Sequence, residues 1–219
     1  STSVEIGLKM AFQYHFNKGE KRNTVVALEN GFHGDTFGAM SASGLSVYNG
    51  PFEDFFIDVM RIPAPTKENL DQVLQLVDTI LEQQQISSFI YEPLVQGAAA
   101  MQLLDNEALC QVINKFQQHG VIAIADEVMT GFGKTGTYFA SDQIGAKPDV
   151  MCLSKALTGG IMPMAITSCT SDIYEAFYDD ELAKGLFHGH TYSGSPLGCA
   201  VASAAIDLLI SEEIQENIK

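Results

Sequence analysis

Apolar residues recur at helical spacing along much of the chain. In the first such segment, Val4, Leu8, Ala11 and Phe12 fall on one side of a helical period, as the buried side of an amphipathic helix does. A polar residue directly before them, such as Thr2, is typical of a helix start. The same pattern predicts helices over residues 3–17, 67–85, 105–119, 196–210 and 212–219.

Short apolar runs without polar alternation lie between these helices. They predict strands over residues 25–28, 88–91, 121–125, 149–153 and 164–169. Strands that are apolar on both sides and separated by helices indicate a mostly parallel sheet covered by helices on both faces. The predicted fold class is therefore α/β, with a Gly-rich loop and a short helix over residues 30–50.

Polar residues stand at the ends of three predicted strands. Glu92, Asp126 and Lys155 each follow an apolar run, directly or after one residue. Ligands of open α/β sheets bind beyond the carboxyl ends of the strands, so these three residues mark the candidate site.

Composition narrows the possible partners. The net charge of −15 would repel nucleic-acid phosphates and anionic lipid, so neither is an expected partner. No apolar run approaches the ~20 residues of a membrane span, and no signal peptide is visible.

The cysteines lack metal-binding spacing, and Cys152, Cys169 and Cys199 sit among apolar or small residues. We expect buried thiols, no metal and a cytoplasmic location.

Asp126 and Lys155 suggest a specific chemistry as a pair. Alone, Asp126 is more simply a capping or ion-paired residue, and Lys155 an ordinary surface lysine. A lysine desolvated at a strand end loses its proton more easily, and its neutral amine can attack an aldehyde. A buried carboxylate beside it supplies the counter-charge that a pyridine nitrogen needs, so a pyridine aldehyde is a plausible cofactor.

Five segments in order resemble the class III aminotransferases, which use pyridoxal 5'-phosphate (PLP). They are residues 30–38 (NGFHGDTFG), 91–97 (YEPLVQG), 126–133 (DEVMTGFG), 154–160 (SKALTGG) and 188–196 (HGHTYSGSP). The resemblance implies a three-layer PLP-dependent transferase large domain over residues 1–219. It also implies that this chain is a fragment, without the family's N-terminal segment and C-terminal small domain.

The resemblance assigns roles to residues on the cofactor. Lys155 corresponds to the lysine that binds the cofactor aldehyde and moves the proton, and Asp126 to the partner of the ring nitrogen. Phe32 corresponds to the aromatic residue stacked on the ring, and Val128 to the residue on its other side. Ser1 corresponds to the end of a Gly-Ser phosphate-binding turn.

Further roles involve a second subunit. Thr191, with His190 beside it, resembles the phosphate ligand that is donated across a homodimer whose active site lies at the interface. Gly189 and Phe32 are expected to contact substrate. The partners implied are a small-molecule amino donor and a keto acceptor.

Within the family, residues 34–41, 94–98 and 155–160 resemble the branch that acts in biotin biosynthesis. That branch transfers an amino group from S-adenosylmethionine to 8-amino-7-oxononanoate, giving 7,8-diaminononanoate. Residues 188–195 depart from its usual form at His190 and Ser195 and also resemble ω-amino acid:pyruvate aminotransferases. An ornithine- or GABA-type enzyme, a racemase or decarboxylase using Lys155, and an inactive cofactor-binding fragment remain alternatives.

Overall fold

The computed structural model describes residues 1–82 and 85–218. The α-helices are α1 (Thr2–Asn17), α2 (Phe37–Ala42), α3 (Leu70–Leu81), α4 (Asn106–Gln118), α5 (Ser171–Glu175), α6 (Pro196–Leu209) and α7 (Glu212–Ile218). The strands are β1 (Thr24–Leu28), β2 (Val59–Ile62), β3 (Ile86–Tyr91), β4 (Val95–Gln96), β5 (Gln102–Leu103), β6 (Ile122–Asp126), β7 (Val150–Leu153) and β8 (Ile166–Cys169). Short 3-10 helices span Gly50–Phe55, Ala140–Gln143, Lys155–Thr158 and Leu182–Lys184.

The central sheet has the strand order β2-β1-β3-β6-β7-β8. All neighbours pair in parallel except β8, which runs antiparallel to β7 at one edge. The carboxyl ends of β1, β3, β6 and β7 therefore meet at one edge of the sheet. The mostly parallel sheet that the apolar runs predict is confirmed.

Each face of the sheet carries its own hydrophobic core. One core packs α3 and α4 against the sheet, where the Phe89 ring of β3 stacks on Tyr91 of the same strand and on Phe116 of α4. The other core packs α1 and α2 against the opposite face, with Leu8 and Ile124 among its buried members. Helices on both faces exclude water from β1, β3 and β6, which explains why these strands lack polar alternation.

Local signals misjudged some elements. The helix predicted over residues 67–85 begins only at Leu70, because Asn69 closes a turn by accepting a 2.7 Å hydrogen bond from the Thr66 amide. Positions 83 and 84 of that prediction lie outside the described residues, as does position 219 of the last predicted helix. The sequence patterns did not predict β2, β4, β5 and α5, which are short or lie at an edge.

The expectation of three buried thiols is correct only for Cys152. Cys152 is buried beneath α1, where its Sγ lies 3.4 Å from the Ser3 carbonyl oxygen. Cys169 and Cys199 are exposed, because β8 is an edge strand and α6 buries only Gly198 and Ala202.

Within residues 1–82 and 85–218, none of the helices combines the length and apolar character that crossing a membrane requires.

Candidate active site

Three strand ends bring the predicted polar residues to one edge of the sheet. Strands β3, β6 and β7 are neighbours, and they end next to Glu92, at Asp126 and near Lys155 respectively. Asp126 pairs with Cys152 of β7, and Lys155 follows two residues after that strand ends at Leu153. The sequence-based grouping of these residues at one sheet edge agrees with the topology.

Asp126 is a buried carboxylate, only 4% exposed, and both of its oxygens have partners. Its Oδ2 lies 2.8 Å from Nδ1 of His33, and its Oδ1 accepts a 3.1 Å hydrogen bond from the amide of Val128. A carboxylate oxygen can accept a hydrogen bond from a protonated ring nitrogen, so His33 Nδ1 is placed to donate to Asp126. Donors held in fixed positions offset the desolvation cost of a buried negative charge and fix the orientation of the carboxylate.

His33 belongs to the site through its contact with Asp126, although its sequence pattern predicts no role for it. Its side chain is fully buried, and its amide donates a 2.9 Å hydrogen bond to the hydroxyl of Ser43. The one available signal was its place in the motif over residues 30–38, because no local pattern predicts that the loop after β1 folds onto the end of β6.

Glu92 holds two loops at the site together. Its Oε1 accepts from the amide of Phe32 and its Oε2 from the amide of Gly97, both at 3.0 Å. Burial raises the pKa of the Glu92 carboxyl, while those two amides and nearby His33 act in the opposite direction. The Phe32 backbone is thus held in place, and its ring, 45% exposed, stands at the surface of the site.

Lys155 departs from the expectation of a desolvated amine, because its side chain is exposed in this chain. Its backbone has a φ of 48°, and the turn that presents it is braced on both sides. Ser154 donates a 2.7 Å hydrogen bond to the Met164 carbonyl, and Thr158 donates a 2.6 Å bond to the Met162 carbonyl. In the described part of the chain, the Lys155 amine has no hydrogen-bond or ion-pair partner, so it is available to a ligand.

The start of α1 lies against the loop that carries His33. Ser1 precedes α1, and its Oγ accepts a 3.0 Å hydrogen bond from the Asp35 amide. Gly34 packs so closely on it that an added Cβ would lie 2.7 Å from the Ser1 Cα. The first amides of a helix have no partners within the helix and attract anions, which fits the phosphate role predicted for Ser1.

The other residues predicted to bind cofactor or substrate lie outside the group of strand-end residues. Val128 is half-buried and packs against the core beneath α1. Gly189, His190 and Thr191 lie in an exposed segment that is joined to α1 by a 3.0 Å hydrogen bond from Lys9 to the Phe187 carbonyl. Across residues 1–82 and 85–218, no hydrogen bond or ion pair connects this segment to Asp126 or Lys155.

Comparison with known proteins identifies the family. A family model described as class-III aminotransferase matches residues 1–219. The chain belongs to the class III aminotransferases.

Relatives in this family share most of the chain. It is 42% identical to the adenosylmethionine-8-amino-7-oxononanoate aminotransferase of Synechococcus elongatus, over 97% of this chain and 52% of that protein. It is 37% identical to the enzyme of the same name from Geobacter sulfurreducens, over 98% of this chain and 51% of that protein. The chain thus spans about half the length of the curated relatives it matches.

Two solved structures of transaminases are similar to this chain in fold. The adenosylmethionine-8-amino-7-oxononanoate aminotransferase of Methanocaldococcus jannaschii has a TM-score of 0.92 at 35% identity, covering 100% of this chain and 51% of that one. A PLP-bound amine transaminase from an uncultivated Pseudomonas species has a TM-score of 0.91 at 30% identity, covering 99% of this chain and 52% of that one. The predicted α/β fold with a mostly parallel central sheet is therefore confirmed.

Proposed function

We propose that the protein containing this chain transfers an amino group from S-adenosylmethionine to 8-amino-7-oxononanoate, using PLP, and forms 7,8-diaminononanoate. The observation that carries the proposal is the buried Asp126 carboxylate on the strand end next to the one that presents the unpartnered Lys155 amine. The names of the relatives in Synechococcus elongatus and Geobacter sulfurreducens support the choice of substrates.

The donor set at the sheet edge fits PLP. Asp126 offers a buried negative charge for a protonated ring nitrogen, Lys155 offers an amine for an aldehyde, and the start of α1 beside Ser1 offers amides for a phosphate. When bound, PLP supplies an electron sink that stabilises negative charge on the substrate carbon. Phe32 and Val128 would hold the two faces of the ring.

The residues of the chain divide the work of proton transfer and orientation. Lys155 would hold the cofactor at rest and then carry the proton at Nζ between substrate carbon and cofactor. Asp126, held by His33 and the Val128 amide, would keep a positive charge on the ring nitrogen. Glu92 would hold the backbone of Phe32 against the site.

A homodimer with its active site at the interface is part of the proposal. Thr191 and His190 would bind the phosphate of the partner subunit's cofactor, and Gly189 would contact substrate, since their segment is exposed in this chain. The apolar surface of α6, which includes exposed Leu197 and Leu208, would be covered in that assembly. We propose residues 1–219 as the PLP-binding large domain.

A cytoplasmic location completes this assignment. All four cysteines are free, and exposed thiols such as Cys169 and Cys199 stay unpaired in a reducing compartment.

Absorbance spectroscopy on the full-length protein tests the cofactor. We expect a visible band with added PLP that is lost in Lys155→Ala and retained in the control Lys147→Ala, whose lysine is also exposed. A band that persists in Lys155→Ala at wild-type intensity would overturn the role of Lys155.

Single-turnover spectra test the donor. S-adenosylmethionine should bleach the band, whereas β-alanine and ornithine should leave it unchanged. Bleaching by β-alanine alone would instead favour an ω-amino acid transaminase, which is the second candidate function. His190 and Ser195 support this candidate. So does the similarity to an omega-transaminase of Thermomicrobium roseum, which has a TM-score of 0.90 at 31% identity.

A further inference from the structure

Two hydrogen bonds close the loop that runs from the end of β1 to the end of α2. The Gly44 amide donates to the Gly31 carbonyl at 2.7 Å. The His33 amide donates to the Ser43 hydroxyl at 2.9 Å. Gly44 also passes so close to Asn30 that an added Cβ would lie 3.0 Å from the Asn30 nitrogen and Cα. The segment that leaves β1 is therefore held against the segment that follows α2.

The Ser43 hydroxyl is fixed on two sides. Ser43 is buried, and its hydroxyl donates a 3.0 Å hydrogen bond to the Ala39 carbonyl of α2. The Ser43 carbonyl accepts from Arg61, at 3.0 Å from Nε and 2.8 Å from Nη2. Arg61 belongs to β2, so Ser43 is tied to a strand of the central sheet as well as to α2. A hydroxyl held in this way is a rigid acceptor for the His33 amide.

His33 extends this anchoring to the Asp126 carboxylate. Its ring Nδ1 lies 2.8 Å from Asp126 Oδ2, while its amide is bound to Ser43. The preceding amide, of Phe32, is bound by Glu92. Because a short side chain joins the imidazole to this backbone, a displacement of the His33 backbone also displaces the ring relative to Asp126.

We propose that Ser43 is a positioning residue of the active site, which holds the His33 backbone so that the imidazole lies against the Asp126 carboxylate. Within the described part of the chain, Ser43 has no hydrogen bond to Asp126, so it acts through His33. The effect of Ser43 on PLP binding rests on the proposed function, whereas its effect on the His33 ring does not.

Ser41 offers a matched control. Like Ser43, it is buried and donates its hydroxyl to the carbonyl of the residue four positions earlier. Its own carbonyl also accepts from Arg61. The amide that its hydroxyl accepts is that of Ile57, at 3.2 Å, and not that of His33. Ser41→Ala and Ser43→Ala therefore remove the same kinds of hydrogen bond, but only Ser43→Ala releases His33.

Gly44→Ala disturbs the same contact in a second way. It keeps the Ser43 hydroxyl and displaces the backbone that carries it, because the new Cβ would press on the Asn30 backbone. Gly50→Ala is the control for this variant, since a Cβ there meets nothing within 4 Å.

The first measurement is ¹H–¹⁵N NMR of histidine-labelled full-length protein without cofactor. The His33 ring signals are assigned by their loss in His33→Asn. Ser43→Ala and Gly44→Ala should shift these signals, and Ser41→Ala and Gly50→Ala should leave them at their wild-type positions. Unchanged His33 signals in Ser43→Ala, or an equal shift in Ser41→Ala, would overturn the proposal. If Ser43→Ala does not fold, unchanged signals in Gly44→Ala would overturn it instead.

The second measurement is PLP affinity by absorbance titration. Loss of the hydrogen bond to His33 should weaken PLP binding about three- to tenfold in Ser43→Ala relative to Ser41→Ala. If the NMR result holds while the wild-type protein does not bind PLP, the cofactor assignment fails and the hold of Ser43 on His33 stands. If PLP binds and the two serine variants bind it equally tightly, the positioning role of Ser43 fails.

Discussion

His33 Nδ1 lies 2.8 Å from Oδ2 of Asp126, although the two residues are separated by 93 positions in the chain. Both side chains are buried, so the carboxylate depends on this imidazole and on the Val128 amide for its partners. A buried carboxylate that loses a donor is left undersolvated, which costs free energy in the folded state.

This relationship predicts different effects for two substitutions of His33. His33→Leu removes the donor and should lower the free energy of unfolding by about 1.5–3 kcal/mol, the range for hydrogen bonds to charged groups. His33→Asn places an amide near the position of Nδ1 and should recover part of that loss. Urea unfolding of both variants measures the difference, with exposed His188→Asn as control. Equal losses in both variants would show that ring packing, and not the donor, matters.

Gly34 should be the least replaceable glycine near the phosphate-binding end of α1. Its φ is 128°, and a Cβ would lie 2.7 Å from the Ser1 Cα, so Gly34→Ala combines backbone strain with a backbone clash. Gly136→Ala shares the positive φ, at 95°, but meets nothing within 4 Å.

We expect Gly34→Ala to weaken PLP binding at least about tenfold, a cost of about 1.4 kcal/mol, while Gly136→Ala leaves it within about twofold. Absorbance titration of both variants measures this. If the two variants bind PLP equally, the packing of Gly34 on Ser1 has no part in the site.

Glu127 should be a structural carboxylate of the active-site loop. It is fully buried and accepts from the Thr130 hydroxyl at 2.6 Å and from the Ala140 and Ser141 amides at 3.1 and 2.7 Å. Glu127→Gln replaces one acceptor oxygen with a donor and leaves a buried donor unsatisfied, so it should cost about 1–3 kcal/mol.

Thermal or urea unfolding checks that cost for Glu127. The matched control is Glu107→Gln, since Glu107 is 82% exposed and 3.8 Å from Lys67, and its loss should change stability by less than about 0.5 kcal/mol. A Glu127→Gln protein as stable as the Glu107→Gln protein would contradict the assignment.

His15 should make the stability of the fold depend on pH. Its ring is buried, donates from Nε2 to the Ser87 carbonyl at 3.0 Å, and lies near Glu20 and Arg22. Burial lowers the pKa of His15 below 6.5. The unfolded chain therefore takes up the proton first as pH falls, so the free energy of unfolding is highest above pH 6.5 and decreases below it, until pH passes the folded-state pKa.

Replacing His15 removes this titration. His15→Gln keeps a donor for the Ser87 carbonyl and should flatten the pH dependence below pH 6.5, whereas His119→Gln, at an exposed position, should leave it as in the wild type. Urea unfolding at a series of pH values measures both. An identical pH profile in His15→Gln and the wild type would refute the prediction.

The local sequence correctly predicted which strands are buried wherever helices cover both faces of the sheet. The apolar run over residues 25–28 corresponds to β1, and Asp126 is buried at the end of β6 as expected. Burial was misjudged at Cys169 and Cys199 because they lie on an edge strand and a largely exposed helix, where neighbours decide exposure. Lys155 is also exposed, although α6 packs against its 3-10 turn, in which Leu157 and Thr158 are buried.

The sequence by itself determined the α/β class, the strand ends that carry Asp126 and Lys155, and, through its ordered motifs, the family. These properties depend on periodicity and on residues close together in the chain. Only the tertiary structure decided that His33 lies against Asp126 and that Glu92 accepts a hydrogen bond from the Phe32 amide. Such contacts depend on the strand order β1-β3-β6, which brings distant loops to one sheet edge and which local propensities do not encode.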